Sequence, residues 1–499
     1  MTAPLRSQAE RAFKWSALTT VGRFGLQLVA QVLLARLLGP SNYGVYGIGM
    51  VVLTFAAFLS GNAFSYILML QKDVDEDDVR FAFTWQLVAG LLCSLGMFLL
   101  AAPLAGFFGD ARVEPMLQWM SVACLLMALA GCSTCLLQRD LNFRALGLVQ
   151  LASYGIGYLG IGVPMALQGH GAQALAAACV VQAAVVLAGN FAVRPHPLKL
   201  LWRHPLGSET LGTGRTVFFT NIVNWLLANL DRIVIGRVLN TQAVGLYGVA
   251  YNIASIPNVL LVTSLQPTFL AAGARLQDQP RELARAWLTL LACLVVFVTP
   301  VAMIMSLLAG DLVQLLYGPA WAEAGWAMGV MFACVPAWAC LGLSTPVLWN
   351  TGRKHQEALL QLPLLAIALP AWWLLAPGGI RGVVIASALI VFARAAVIVG
   401  SGLRALDLHW RELLPFALRG LGLAVACSAA VIAGREAVLP LHHPLFTLLA
   451  GGAAGTAVLI VLVFARPQVF GPEARAVLAR VIPSARPRWP APPAPEARP

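Results

Sequence analysis

The chain has 499 residues and a formal net charge of +12, with 59% hydrophobic and 11% charged residues and a mean hydropathy of +0.79. A soluble domain carries about a quarter charged residues, so this composition excludes a soluble enzyme or nucleic-acid-binding domain. Apolar stretches of spanning length recur from end to end, which makes the chain an all-α polytopic membrane protein; a porin-type barrel would show alternating segments about ten residues long.

In chain order the predicted spans are 15–36, 45–68, 82–102, 116–137, 147–167, 172–193, 213–237, 246–271, 287–309, 325–349, 357–376, 380–402, 413–434 and 443–465, fourteen in all. The first lacks the short apolar core and small-residue cleavage pattern of a removed signal peptide and reads as a retained span. Of the 33 Lys and Arg, only Arg112, Arg381 and Arg435 fall in outer loops when the amino terminus is placed inside. That is a strong positive-inside bias, and it puts both termini in the cytoplasm. The inner loop QKDVDEDDVR (71–80) is acidic, but acidic residues weigh little in topology, and it reads as a solvated loop. The Pro- and Arg-rich tail from 467 to 499 reads as disordered. The cysteines lie almost entirely within spans, and the Cys132/Cys135 pair has no other ligand nearby, which assigns it to packing.

One stretch occurs twice. VLLARLLGPSNYGVYG (32–47) and IVIGRVLNTQAVGLYG (233–248) align at an offset of 201, matching Arg36 with Arg237, Gly44 with Gly245 and Tyr46 with Tyr247. FFGDARVEP (107–115) then resembles LYGPAWAEA (316–324), and the polar junction LLQRDLNFR (136–144) resembles LWNTGRKHQ (348–356). Three resemblances in one order point to a duplication of six spans, an even number, so the copies enter the membrane in the same direction around a central cavity. The expected domains are an amino-terminal six-helix lobe (1–193), an inter-lobe loop (194–212), a second six-helix lobe (213–402), two additional transmembrane helices (403–466) and the tail (467–499).

Polar residues within spans mark candidate cavity positions. Arg23, Gln27 and Gln31 recur at i, i+4, i+8 in the first span, and Asn221, Asn224 and Asp231 share a face of the seventh, with Asn229 and Arg232 beside it. Such groups cost several kcal/mol against lipid and are expected to face the bundle interior or water. Two readings stay open: a structural network tying helices together, or a cationic lining for an anionic substrate with Asp231 as partner or proton or cation site. Arg36 and Arg237 end their spans and read as interfacial anchors that snorkel to headgroups, with Tyr46 and Tyr247 as interfacial aromatics. Asn62 and the prolines Pro257, Pro267, Pro336 and Pro346 are positions where spans are expected to break or kink. No Walker motif and no metal-ligand cluster is visible in the sequence, so energy is expected from a proton or sodium gradient, the membrane potential or the substrate itself, with no cofactor.

The opening KWSALTTVGRFGLQLVAQVLLARLLGPSNYGVYGIGMVVLTF (14–55), the LLQRDLNFR junction and NLDRIVIGRVLNTQAVGLYGVAYNIASIPNVL (229–260) together resemble the polysaccharide-transporter (Wzx/WzxC-type) branch of the MOP flippase superfamily. The resemblance implies alternating access between two six-helix lobes and flipping of undecaprenyl-pyrophosphate-linked oligosaccharide repeat units across the bacterial inner membrane, for exopolysaccharide or O-antigen/lipopolysaccharide synthesis. It implies that Arg23 and Arg232 meet the pyrophosphate and that Arg36 and Arg237 line the outer rim. It also implies a polymerase and chain-length regulator as pathway partners, and no nucleic acid. A cation-coupled small-molecule exporter of the same superfamily and a peptidoglycan-precursor flippase are the alternatives. Arginines outnumber carboxylates within the spans, which weighs against the first.

Overall fold

The computed structural model describes the backbone of residues 3–60, 68, 74–204, 206–441 and 443–481, and their side chains apart from 3–14, 16, 17, 206–221, 354, 441 and 479–481. Asn62, the start of the acidic loop, the side chain of Asn221 and the tail beyond 481 therefore lie outside the described residues. Among the described residues ten helices are long and apolar enough to cross a membrane, or up to eleven if the bent pair Pro319–Ala333 and Val335–Asn350 is one span. The chain is thus an all-α, multi-pass membrane protein. The expected fourteen exceeds this number partly because Leu18–Leu59 and His355–Ala405 each contain two of the predicted spans in one stretch.

Two compact units divide the chain, Met1–Leu246 and Tyr247–Pro499. The division lies well past the loop at 194–212. The opening helix of the second repeat, α7 (Leu206–Val238), packs on helices of the first unit, α1 (Ala3–Leu59) and α3 (Ala101–Phe108).

In the first unit α1 breaks at Gly39, whose φ of 72° no helical residue adopts, and Pro40 follows without an N–H to give. After α2 (Glu76–Leu99) and α3 come α4 (Val113–Arg139) and α5 (Phe143–Tyr154), which runs through a π-helical turn, Gly155–Gly162, into Val163–Leu167. α6 (Gln173–Val193) completes the set before α7. The acidic loop is partly a helix cap: Asp75 accepts from the Asp78 N–H at 2.7 Å and Asp78 accepts from the Asp75 N–H at 3.0 Å, so the cluster compensates the start of α2.

The second unit begins within α8 (Thr241–Ala274) and continues with α9 (Pro280–Tyr317), α10 (Ala322–Ala333), α11 (Val335–Asn350), α12 (Lys354–Leu375), α13 (Gly379–Ala405), α14 (Leu414–Val438), α15 (Pro444–Ala465) and α16 (Gly471–Val481). α8 runs through Pro257 and Pro267 as one helix, whereas the tenth predicted span bends by 43° just ahead of Pro336. Its core is centred on Trp287, Leu343, Val347 and Leu403. The first part of the tail is folded, contrary to the disorder expected from its composition. Phe470 is 1% exposed and stacks on Phe297, with centroids 5.4 Å apart, and Ala474 is fully buried beside Val296 and Leu423. A lone aromatic among Pro and Arg does not lower composition enough to signal this.

Three local devices occur in both units. A serine hydroxyl donates to a backbone carbonyl of the next spanning helix, Ser94 to Ser121 O at 2.7 Å and Ser306 to Gly329 O at 2.8 Å. α3 and α9 each end on a positive-φ glycine, Gly109 and Gly318. α4 and α11 end in the same turn: Asn142 N–H donates to Leu137 O at 2.9 Å and Arg353 N–H to Leu348 O at 2.7 Å, around the positive-φ residues Leu141 and Gly352. The glycine and turn positions fall within the segments that the sequence pairs.

Candidate functional site

Arg23 is half-buried on α1, and its Nη1 donates to Oε1 of Gln150 on α5 at 2.9 Å. Among the described residues no carboxylate lies within ion-pair distance of this guanidinium. Gln27 is exposed, and Gln31, half-buried, has an Nε2 with no hydrogen-bond partner among the described residues. The hydrogen-bond partner of Arg23 is thus Gln150, the one amide in the apolar run LGLVQLASY.

On α7, Asp231 is 4% exposed and Asn224 half-buried. Asp231 Oδ1 accepts from the Arg232 backbone N–H at 2.7 Å, so contact between these neighbours runs through the main chain. Arg232 Nη1 donates to Asn229 Oδ1 at 3.4 Å, and Asn229 donates on to Trp225 O at 2.9 Å. Trp225 in turn packs on Phe55 of α1, with ring centroids 4.7 Å apart.

The duplicated stretch has its own geometry. Its two copies lie against each other within the first unit: a Cβ on Gly44 would fall on the Thr241 carbonyl, and one on Gly245 would fall on the Pro40 carbonyl. The pairing is reciprocal, and only glycine allows the two backbones to come this close. Loop 109–112 ties the pair. Arg112 donates to Ser41 Oγ at 2.8 Å, to Asn42 Oδ1 at 3.1 Å and to Asp110 Oδ2 at 2.7 Å, and Thr241 Oγ1 donates to the same Asp110 oxygen at 2.9 Å. The Arg112 hydrogen bonds hold the Asp110 carboxyl below its ordinary range against the opposing effect of burial.

Around this contact, Arg237 is exposed, donates to Phe107 O at 2.8 Å and lies 5.2 Å from the Phe107 ring centroid. Arg36 is exposed as well. Tyr46 is half-buried, its hydroxyl 2.8 Å from that of Tyr158 in the π-helical turn. In the second unit Tyr247 is 1% exposed, and its hydroxyl donates to Ser387 Oγ at 3.1 Å. Both tyrosines thus reach partners on other helices through their hydroxyls. The sequence pairing singled out these residues but offered no sign of the partners, which lie more than a hundred residues away.

A polar network in the second unit was not anticipated as a site. Arg394 donates through Nε and Nη2 to Gln361 Oε1 at 3.0 and 2.6 Å, and Gln361 Nε2 donates to Glu357 O at 3.3 Å. Glu357 is 6% exposed and accepts from Trp349 Nε1 at 2.8 Å. The signals available were Arg394 inside the predicted span 380–402 and the i, i+4 spacing of Glu357 and Gln361 at the start of an apolar helix.

Half-buried arginines and amides on apolar helices, with tight glycine contacts between paired motifs, belong to a polytopic membrane protein. The fold is that of the lipid II flippase MurJ in its inward closed conformation: the TM-score is 0.70 at 13% identity, covering 92% of this chain and 100% of that one. Residues 33–325 match the Polysaccharide biosynthesis protein family, and the chain belongs to that family. It is 28% identical over 323 residues to the succinoglycan biosynthesis transport protein ExoT of Rhizobium meliloti (strain 1021), 64% of each chain. It is 23% identical over 318 residues to the lipopolysaccharide biosynthesis protein WzxC of Escherichia coli (strain K12), 64% of this chain and 65% of that one. The matches span just under two thirds of the length of these relatives.

Proposed function

We propose that this chain flips polyprenyl-pyrophosphate-linked oligosaccharide repeat units across the bacterial inner membrane by alternating access, supplying exopolysaccharide or O-antigen/lipopolysaccharide synthesis. The observation that carries the reading is Arg23, in a chain of the polysaccharide biosynthesis family. A guanidinium at bilayer depth costs about 3 kcal/mol, and here a neutral amide, Gln150, is its hydrogen-bond partner. A transient anion is the missing complement, and a pyrophosphate crossing hydrocarbon needs such a cation while its polyprenyl tail stays in lipid.

The full architecture belongs to the same proposal. Fourteen spans form two parallel six-helix lobes around a cavity lined by Arg23, Gln27, Gln31, Asn221, Asn224, Asp231 and Arg232, with two helices appended and both termini in the cytoplasm. The serine, glycine and turn devices that recur in both units support a duplication. Arg36 and Arg237, with Tyr46 and Tyr247, stand at the outer rim. A polymerase and chain-length regulator receive the product. Proton or sodium coupling enters through Asp231, the buried carboxylate of α7.

The test is genetic and chemical. Cells lacking the protein should accumulate lipid-linked repeat units on the cytoplasmic side. Arg23→Ala, expressed at wild-type abundance, should reproduce most of that accumulation, and full polymer output from the variant would remove Arg23 from the path. In vesicles with imposed ion gradients, Asp231→Asn should abolish the gradient dependence of flux; unchanged dependence in a stable variant would rule out coupling at this residue.

A further inference from the structure

The segment between α6 and α7 carries neither helix nor strand at 195–204 and is pinned to α2 along one edge. Leu201 N–H donates to Thr84 Oγ1 at 2.8 Å, and Arg80 Nε donates to the Lys199 carbonyl at 3.3 Å. Rings reinforce the seam: His196 sits 5.1 Å from Phe83 and 5.3 Å from Phe191, and His204 sits 5.8 Å from Phe81. At its ends Arg194 pairs with Asp140 at 2.9 Å, and His204 Nδ1 lies 3.5 Å from Asp78.

The other edge is apolar and open. Leu198, Leu200 and Trp202 are 57%, 47% and 56% exposed. Lys199 and Arg203, interleaved with them, are exposed too. Leu, Leu and Trp facing outward in a row would be an aggregation liability in water. This segment follows a spanning helix, α6, however, so it starts at a membrane surface.

We propose that residues 198–203 form a strap seated in the inner-leaflet interface. Leu198, Leu200 and Trp202 enter the boundary of headgroups and acyl chains, and Lys199 and Arg203 hold the phosphates of anionic phospholipid. The chemistry matches on both counts. Tryptophan favours the interfacial depth, and basic residues beside apolar ones bind anionic leaflets more strongly than either type alone. The inner side follows from the positive-inside orientation, on which this inference rests, and not from the nature of the transported substrate. Because its opposite edge is fixed to α2, the strap couples leaflet charge to the seam between α2 and the segment leading into α7.

The full-length protein in nanodiscs tests this. In discs containing phosphatidylglycerol the thermal midpoint should exceed that in pure phosphatidylcholine, and added salt should shrink the difference. Lys199→Gln/Arg203→Gln should lose at least half of that lipid-dependent shift while keeping the wild-type midpoint in phosphatidylcholine; an unchanged shift overturns the proposal. The fluorescence difference between wild type and Trp202→Phe isolates Trp202, and lipids brominated in the upper acyl chain should quench it strongly. A Trp202 signal untouched by brominated lipid, as expected if this edge docks on a protein, overturns it as well.

Discussion

Leu141 holds φ at 54° in the turn that ends α4, while its counterpart in the second unit, Gly352, holds 72°. A left-handed conformation costs an L-residue about 1–2 kcal/mol, and Leu141 is 41% exposed, so little packing offsets it. Leu141→Gly should raise stability by about 1 kcal/mol, read as a higher thermal midpoint in detergent; a lower midpoint would show that the Leu141 side chain contributes more than its backbone costs. Asp110 is the second residue to test. Its carboxyl is held below the ordinary range, so its contribution is fully present above that range and disappears as pH falls through the lowered value. Asp110→Asn should cost about 1 kcal/mol at neutral pH, and the gap to wild type should close in acid. A gap independent of pH would mean that the hydrogen bonds to Arg112 and Thr241 do not depend on the carboxylate charge. The legibility of these two differs. The junction was visible in the sequence as a polar break in an apolar run, but its backbone shape was not, because leucine gives no sign of φ > 0. Asp110 lay inside a paired segment with its partner Arg112, yet its other partner, Thr241, comes from elsewhere in the chain, and single-sequence spacing carries no such distance.

Among the elements, the contact between the two copies of the motif is the one most open to a direct test. Gly245→Ala would drive a methyl group into the Pro40 carbonyl and Gly44→Ala one into the Thr241 carbonyl, and backbone cannot swing aside as a long side chain does. Each substitution should cost about 3 kcal/mol, whereas Gly248→Ala, where a Cβ meets nothing within 4 Å, should cost less than 1. Equal effects at Gly245 and Gly248 would show that the close approach does not contribute. The echo itself was legible from residues alone, because duplicated sequence is a one-dimensional signal. That its copies meet each other was not, since nothing in either copy names its neighbour. Proline or glycine marked the breaks at Gly39–Pro40 and ahead of Pro336, but α8 runs through Pro257 and Pro267 as one helix. Nothing marked 467–481, where one buried aromatic, Phe470, organises a segment whose composition reads as disordered.

At the scale of the whole molecule, composition alone established a helical membrane protein, because burying backbone in lipid leaves few alternatives to helices. The span list carried less: adjacent spans joined with one break, as at Gly39, merge into one helix, and the division into units falls at Leu246, beyond the loop chosen from polarity. Function was legible as a class through the resemblance, and Arg23 stood out through its position in an apolar run. Gln150 and the Arg394–Gln361–Glu357 network were not, since a single amide in an apolar helix is ordinary until its partner is seen.

The central claim, that the chain carries a lipid-linked oligosaccharide across the membrane along a path containing Arg23, is tested most directly by translocation in proteoliposomes. The purified protein would be reconstituted with a fluorescent polyprenyl-pyrophosphate oligosaccharide, and exposure of its sugar to an impermeant lectin followed in time. Wild type should speed the appearance of sugar on the opposite face well above protein-free vesicles, and Arg23→Ala should fall at least tenfold with reconstitution unchanged, the loss of about 1.4 kcal/mol or more of stabilisation at the barrier. Translocation by wild type no faster than in empty vesicles would contradict the account, and equal rates for wild type and Arg23→Ala would contradict the path.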